Sequence, residues 1–240
     1  MTLKAVLFDF NGIIINDEPI HEELIRDILL QENLRPDTKD YQQVCLGRSD
    51  RICLQEILRL RGRELKEAEI DKLIANKSAS YEKKLTELEK IPIYKGLQEF
   101  LERLQQAQLK IGLVTGALRR EVDIVLNLSS LKSYFSVIVT SDEVKNSKPA
   151  PDGYLLAMDK LNQKFPYLQL QQKNCLVIED TLAGIEAGKN AGMQVVGVAN
   201  TYPFHMLQRQ ANWTVDYFRE VELERIQKVF ANLPEMAVTE

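Results

Sequence analysis

Short apolar runs recur along the chain, each closed by small or polar residues. They are "KAVLFDF" (4–10), "KIGLVTG" (110–116), "FSVIVTS" (135–141), "CLVIED" (175–180) and "MQVVGVA" (193–199). Apolar positions are continuous in them rather than alternating, the pattern of strands buried on both faces of a parallel sheet. Between them "GLQEFLERLQQAQ", "LRREVDIVLNL", "DGYLLAMDKLNQ" and "LAGIEAGKNAG" supply crossover helices. Strands alternating with helices predict an α/β fold, a Rossmann-like, doubly wound parallel sheet.

One connection breaks this rhythm. After the first strand, "EPIHEELIRDILLQ", "DRICLQEILRLRG" and "KEAEIDKLIANKSASYEKKLTELEK" space their apolar residues three and four apart, as amphipathic helices do. Residues 17–90 are therefore read as an inserted all-helical cap domain, and residues 1–16 and 91–240 as the core. The flanking "IND" and "EKIPIYKG" are expected to form two hinge strands, and Tyr94, Tyr154 and Trp213 to lie in the core.

Composition narrows the function classes. Apolar residues make up 45% of the 240, enough for a sizeable core, and the net charge of −4 speaks against a nucleic-acid partner. No run approaches a membrane span. Cys45, Cys53 and Cys175 have no metal-binding spacing and are expected to be reduced, buried thiols of a cytoplasmic protein.

In an open parallel sheet, ligands gather at the carboxyl ends of the strands. The first strand delivers Asp9 and then Asn11-Gly12, and the second Thr115-Gly116-Ala117. The third runs into Ser141-Asp142 and then Lys148, and the fourth ends in Glu179-Asp180-Thr181. Carboxylates without His or Cys company suit a hard cation, most economically Mg²⁺. A hydroxyl, turn N–H groups and a lysine suit a phosphoryl group. A carboxylate touching both could attack phosphorus. Taken singly, Asp9-Asn11-Gly12 also reads as a turn, and Thr115 and Glu179-Asp180 as helix caps.

Four motifs in order give this set a family likeness. "FDFNG" resembles the D-x-D-G nucleophile motif of the haloacid dehalogenase superfamily, "VTGA" its second motif and "KPAPDGY" its lysine motif. "VIEDTLAGIEAGKNAGM" resembles the family's acidic metal motif with its following helix. The branch is that of β-phosphoglucomutase and small sugar-phosphate phosphatases. The resemblance implies Asp9 as nucleophile and metal ligand, the residue-11 carbonyl and Asp180 as further ligands, and Glu179 as a direct or water-mediated one. It implies that Thr115, Gly116, Ala117 and Lys148 hold the phosphoryl group. "NDEPIH" (through His21), "GRS" (Gly47 and Arg48) and Lys77 match cap positions that meet substrate. His21, Arg48 and Lys77 are equally read as packing or solvated helix residues.

The sequence departs from the family at Asn11, where an acid/base aspartate is usual. An amide cannot carry a proton at accessible pH, and loss of a positioned acid/base typically costs on the order of 10²- to 10⁴-fold in rate. Three explanations stand open: a substrate whose leaving group needs no proton, a proton from His21 or Glu18, or ligand binding with little turnover. Asn11-Gly12 is also prone to deamidation. Asn16, where the family has Asp, is expected to affect only the hinge. The expectation is a Mg²⁺-dependent phosphohydrolase acting on a small phosphorylated metabolite through an aspartyl-phosphate on Asp9. It would be a monomer or weak homodimer, without nucleic-acid or membrane partners. A sugar-phosphate mutase and a non-catalytic binding protein are the alternatives, and dehalogenation is disfavoured by the magnesium site.

Overall fold

The computed structural model describes residues 2–232. Strands β1 (Ala5–Phe8), β2 (Lys110–Val114), β3 (Val137–Val139), β4 (Cys175–Glu179), β5 (Gln194–Val198) and β6 (Trp213–Val215) form one sheet in the order β3-β2-β1-β4-β5-β6. Every neighbouring pair is parallel. The order reverses beside β1, which leaves a crevice at its carboxyl end next to that of β4.

The helices, in chain order, are α1 (Glu18–Gln31), α2 (Thr38–Asp40), α3 (Asp50–Leu60), α4 (Glu67–Thr86), α5 (Leu97–Gln106), α6 (Arg119–Leu128), α7 (Asp152–Lys164), α8 (Leu182–Asn190), α9 (Phe204–Leu207) and α10 (Leu223–Asn232). Successive strand residues point to opposite faces, which explains why the strand patterns are continuous. Val6, Phe8, Ile111, Leu113 and Ile178 pack with α5, α6 and α10; Ala5, Leu7, Val114 and Val177 pack with α7 and α8. Helix α5 buries Leu97, Phe100, Leu101 and Leu104, one stripe at helical spacing.

Helices α1 to α4 form the cap, which has a core of its own built on Ile25, Ile28, Leu29, Leu54, Ile57, Leu58 and Ile70. A wide turn over Tyr41–Cys45 follows α2 directly. The expected hinge strands reduce to a single antiparallel bridge between Ile15 and Ile93, made by the Asn16 N–H on the Pro92 carbonyl, 2.8 Å, and the Tyr94 N–H on the Ile14 carbonyl, 3.2 Å. Pro92 has no N–H with which to extend the pairing. Tyr154 is fully buried as expected, whereas Tyr94 and Trp213 are half-buried.

The cysteines correct the expectation of three reduced thiols. The Tyr41–Cys45 turn and the first turn of α3 bring the Cα atoms of Cys45 and Cys53 to 4.6 Å, and the two form a disulfide. Cys175 is a buried free thiol, its pKa pushed up to about 12 by burial. The disulfide removes the support that unpaired thiols lent to a reducing compartment. Among the described residues no helix is long and apolar enough to cross a membrane.

Candidate active site

Strand β1 ends where the chain must turn. The Asp9 N–H still bonds the Ile178 carbonyl, 3.0 Å, so Asp9 stands at the sheet edge beside β4. The chain then folds back: the N–H groups of Ile13, Ile14 and Ile15 all converge on the Phe10 carbonyl, at 3.2, 2.7 and 3.3 Å. Gly12 takes φ +78°, and a Cβ there would lie 1.9 Å from Asp180 Oδ2. Only glycine lets the first loop approach the second acidic group so closely.

Strand β4 delivers Glu179 and Asp180, and Thr181 caps α8 by accepting the Gly184 N–H at 3.1 Å. Carboxylate oxygens of Asp9, Glu179 and Asp180 lie within 4.8 Å of one another, all buried. Lys148 donates to Asp9 Oδ1 at 2.5 Å and to Glu179 Oε1 at 2.6 Å. Glu179 also accepts from the Tyr154 hydroxyl, 3.0 Å, the Thr181 hydroxyl, 3.0 Å, and the N–H groups of Asp180 and Thr181. Asp180 Oδ2 accepts from Thr201, while its Oδ1 is buried with no partner.

The electrostatics follow from this crowding. Burial, then Glu179, push the Asp9 carboxyl up to about 7, against the pull of Lys148. Burial, Glu179 and Asp9 raise the Asp180 carboxyl well above the usual range. Burial lowers the Lys148 ammonium, but Asp9 and Glu179 outweigh it and hold the pKa up. Adjacent buried carboxylates, one with an orphan oxygen, make a donor set for a hard cation held through oxygen, so the residues fit Mg²⁺.

The second strand places Thr115, Gly116 and Ala117 across the crevice. The Thr115 hydroxyl accepts the Ala117 N–H at 3.0 Å. The cap loop closes on the same edge: a Cβ on Gly116 would lie 3.2 Å from the Arg48 carbonyl, and one on Gly47 would lie 2.7 Å from Thr181 Oγ1. Asp9, Asn11, Glu18, His21, Gly47, Arg48, Gly116, Ala117 and Lys148 thus line one narrow cavity of about 40 Å³ between core and cap.

Asn11 sits at the seam of core and cap. Its side-chain amide donates toward both oxygens of Asp17 at 3.0 Å, and His21 Nε2 is 3.1 Å away. Burial pushes the Asp17 carboxyl up, but His21 and the donors Tyr81 and Asn11 outweigh it and hold it below the usual range. Lys77 is behind this group, outside the cavity lining, with its ammonium 2.8 Å from both His21 Nδ1 and Asp50 Oδ2.

The residues from 6 to 198 match the haloacid dehalogenase-like hydrolase family. The chain belongs to that family. Among curated relatives, the phosphorylated carbohydrates phosphatase of Thermotoga maritima is 30% identical over 202 residues, covering 83% of this chain and 87% of that protein. The β-phosphoglucomutase of Bacillus subtilis is 30% identical over 203 residues, 84% of this chain and 85% of that one. A crystal structure of β-phosphoglucomutase from Clostridium difficile superposes with a TM-score of 0.83 at 27% identity, covering 95% of this chain and 97% of that one. The family relatives are phosphatases and sugar-phosphate mutases, and the sheet order and helical cap are those of the family fold.

Sequence reasoning missed Asp17, Tyr81, Asn200 and Thr201. The Asn200 amide donates to the Gly12 carbonyl at 2.7 Å, and Thr201 donates to Asp180, so both brace the loops that carry the acidic cluster. A signal for this pair existed: they follow β5 at the carboxyl edge of the sheet, where the same rule found Asp9 and Glu179.

Proposed function

We propose that the protein is a Mg²⁺-dependent phosphohydrolase for a small phosphorylated metabolite. The observation that carries the reading is the meeting of Asp9, Asp180 and Lys148 beneath a closed cap. Asp9 is the nucleophile: a carboxylate oxygen forms a bond to phosphorus as the bond to the leaving oxygen breaks, giving an aspartyl-phosphate. Water then attacks that phosphorus and frees Asp9 and inorganic phosphate. Lys148, Thr115 and the Gly116 N–H hold the transferring oxygens, and Ala117 lines the same edge. Asp9, Asp180, the residue-11 carbonyl and Glu179, directly or through water, would hold Mg²⁺, which when bound would supply positive charge against the phosphoryl oxygens.

His21, Gly47 and Arg48 face the substrate from the cap, with Lys77 supporting His21. A cavity of about 40 Å³ holds waters rather than a sugar phosphate, so cap and core part to admit substrate and close to exclude solvent. Asn11 offers no proton, so substrates whose leaving group departs unprotonated are favoured: aryl or acyl phosphates and anhydrides over alkyl sugar phosphates. The same amide disfavours a mutase, which needs proton transfer in both halves of its cycle.

The test compares native protein with Asp9→Asn on p-nitrophenyl phosphate, acetyl phosphate and a panel of sugar phosphates, with Mg²⁺ and with chelator. Turnover that needs both Mg²⁺ and Asp9, with one phosphoryl group trapped on the Asp9 peptide, is the expected result. Ligand-induced stabilisation without turnover would instead establish a binding protein.

A further inference from the structure

We infer that Asn11 and Asp17 form a matched donor–acceptor pair, in which the carboxylate stands on the cap side of the hinge and the amide on the nucleophile loop. Asp17 is the residue before the first turn of α1, where an aspartate ordinarily caps the helix with its side chain. Here it makes no capping bond. Its carboxylate is fully buried and turned toward the core, where it takes the Asn11 amide at 3.0 Å on both oxygens, the Tyr81 hydroxyl and His21 Nε2 at 3.3 Å. Residue 11 is thereby tied to α1 through Asp17 and to α4 through Tyr81. Asp17 is a positioning residue: it fixes the loop that joins Asp9 to Gly12 when the cap is shut.

The pairing explains why residue 11 is an amide. A carboxylate there would face a second buried carboxylate at hydrogen-bond distance, and two such groups cannot both stay ionised. His21 Nε2, 3.1 Å from the Asn11 amide and 3.3 Å from Asp17, is one donor that the two carboxylates would have to share. Asn11→Asp therefore replaces a neutral donor with a carboxyl that must hold a proton or repel Asp17, and so loosens the seam between core and cap. The exchanged pair, Asn11→Asp with Asp17→Asn, restores one donor facing one acceptor with the charge moved to the nucleophile loop.

The test is a double-mutant cycle on the full chain: native, Asn11→Asp, Asp17→Asn and the double exchange. Two readouts are taken, the urea midpoint in chelator, and kcat and KM for p-nitrophenyl phosphate with Mg²⁺. Each single change is expected to lower the midpoint and to lower kcat/KM at least tenfold, with the double recovering most of both losses. A purely structural role would recover the midpoint and leave kcat low. The pair is overturned if Asn11→Asp alone is as stable and active as native protein, or if the losses of the two single variants simply add in the double. The kinetic arm rests on the proposed phosphohydrolase. If native protein shows no turnover, that reading fails while the urea cycle still decides the pair. Should Asn11→Asp not fold, Asn11→Ala, which removes the donor without adding charge, is expected to fold and to lose less. Failure of both Asn11→Ala and the double exchange to fold overturns the inference.

Discussion

The ammonium of Lys148 lies 2.5 Å from Oδ1 of Asp9. The same nitrogen reaches Glu179 at 2.6 Å, so one cation ties the nucleophile loop to the end of β4. During transfer it would meet phosphoryl oxygens as well. Lys148→Met is expected to lower kcat for p-nitrophenyl phosphate by on the order of 10²- to 10³-fold, the size found when one electrostatic donor is removed. The assay is run at saturating Mg²⁺, so that a lost cation site is not mistaken for a lost donor. A KM change with kcat intact would place Lys148 in ground-state binding instead.

The acidic cluster predicts an unusual pH response in chelator. The Asp9 carboxyl stands at about 7 in the folded chain against 3.8 for an ordinary aspartate. Between those values the native state holds a proton that the unfolded state has released, so the Asp9 contribution to stability falls as pH rises through this window. Metal-free protein should therefore melt lower at about pH 7.5 than at about pH 5.5, and Mg²⁺ should raise the melting temperature more at the higher pH. Thermal melts of native protein and Asp9→Asn, with chelator and with Mg²⁺, separate this contribution, because the variant should flatten the pH difference.

The periodic parts of the molecule were legible in the sequence. The segment "EPIHEELIRDILLQ" coincides with α1, Glu18–Gln31, because four apolar residues on one face have only one way to be buried. The five long apolar runs became β1 to β5 for the same reason. The edge strand β6 did not register, since "WTV" is three residues long with polar neighbours and a half-buried pattern. Asp9, Glu179 and Asp180 were readable because strand ends carry a positional rule. The bond from Asn11 to Asp17 was not, although the two residues are only six apart in the chain. Which of two nearby polar side chains turns inward depends on Tyr81 and His21, brought in by helices that no local pattern orients. The Cys45–Cys53 disulfide escaped likewise, as it depends on the geometry of the Tyr41–Cys45 turn.

Gly12 offers a test of how the metal loop is built. Its φ of +78° and the 1.9 Å that would separate a Cβ from Asp180 Oδ2 make alanine costly twice over. The left-handed conformation alone costs about 1–2 kcal/mol. The steric conflict pushes Asp180 out of the acidic cluster. Gly12→Ala is expected to keep the fold while losing most of the Mg²⁺-induced rise in melting temperature, read by a Mg²⁺ titration of thermal melts. A full Mg²⁺ response would show that the loop can shift without disturbing Asp180.

Lys77 carries the buried charge of the cap. Its ammonium bonds Asp50 and His21 and lies near Glu121, whose carboxyl burial pushes above its ordinary value even though Lys77 opposes the shift. Glu121 is itself buried with Oε1 unpartnered, so Lys77 is the main compensation for two carboxylates where cap meets core, Asp50 on α3 and Glu121 on α6. Removing one member of such a group typically costs about 3–5 kcal/mol, because the partner charges stay buried. Lys77→Met should show a loss of this order in urea unfolding at neutral pH. With the ammonium gone, the folded-state pKa of Glu121 rises further above its unfolded value, because Lys77 no longer opposes the effect of burial. The Glu121 carboxylate then takes up its proton as pH falls, and the deficit should shrink on the acid side. A deficit that is constant with pH would mean that Lys77 acts through packing alone and that its charge is not what the cap requires.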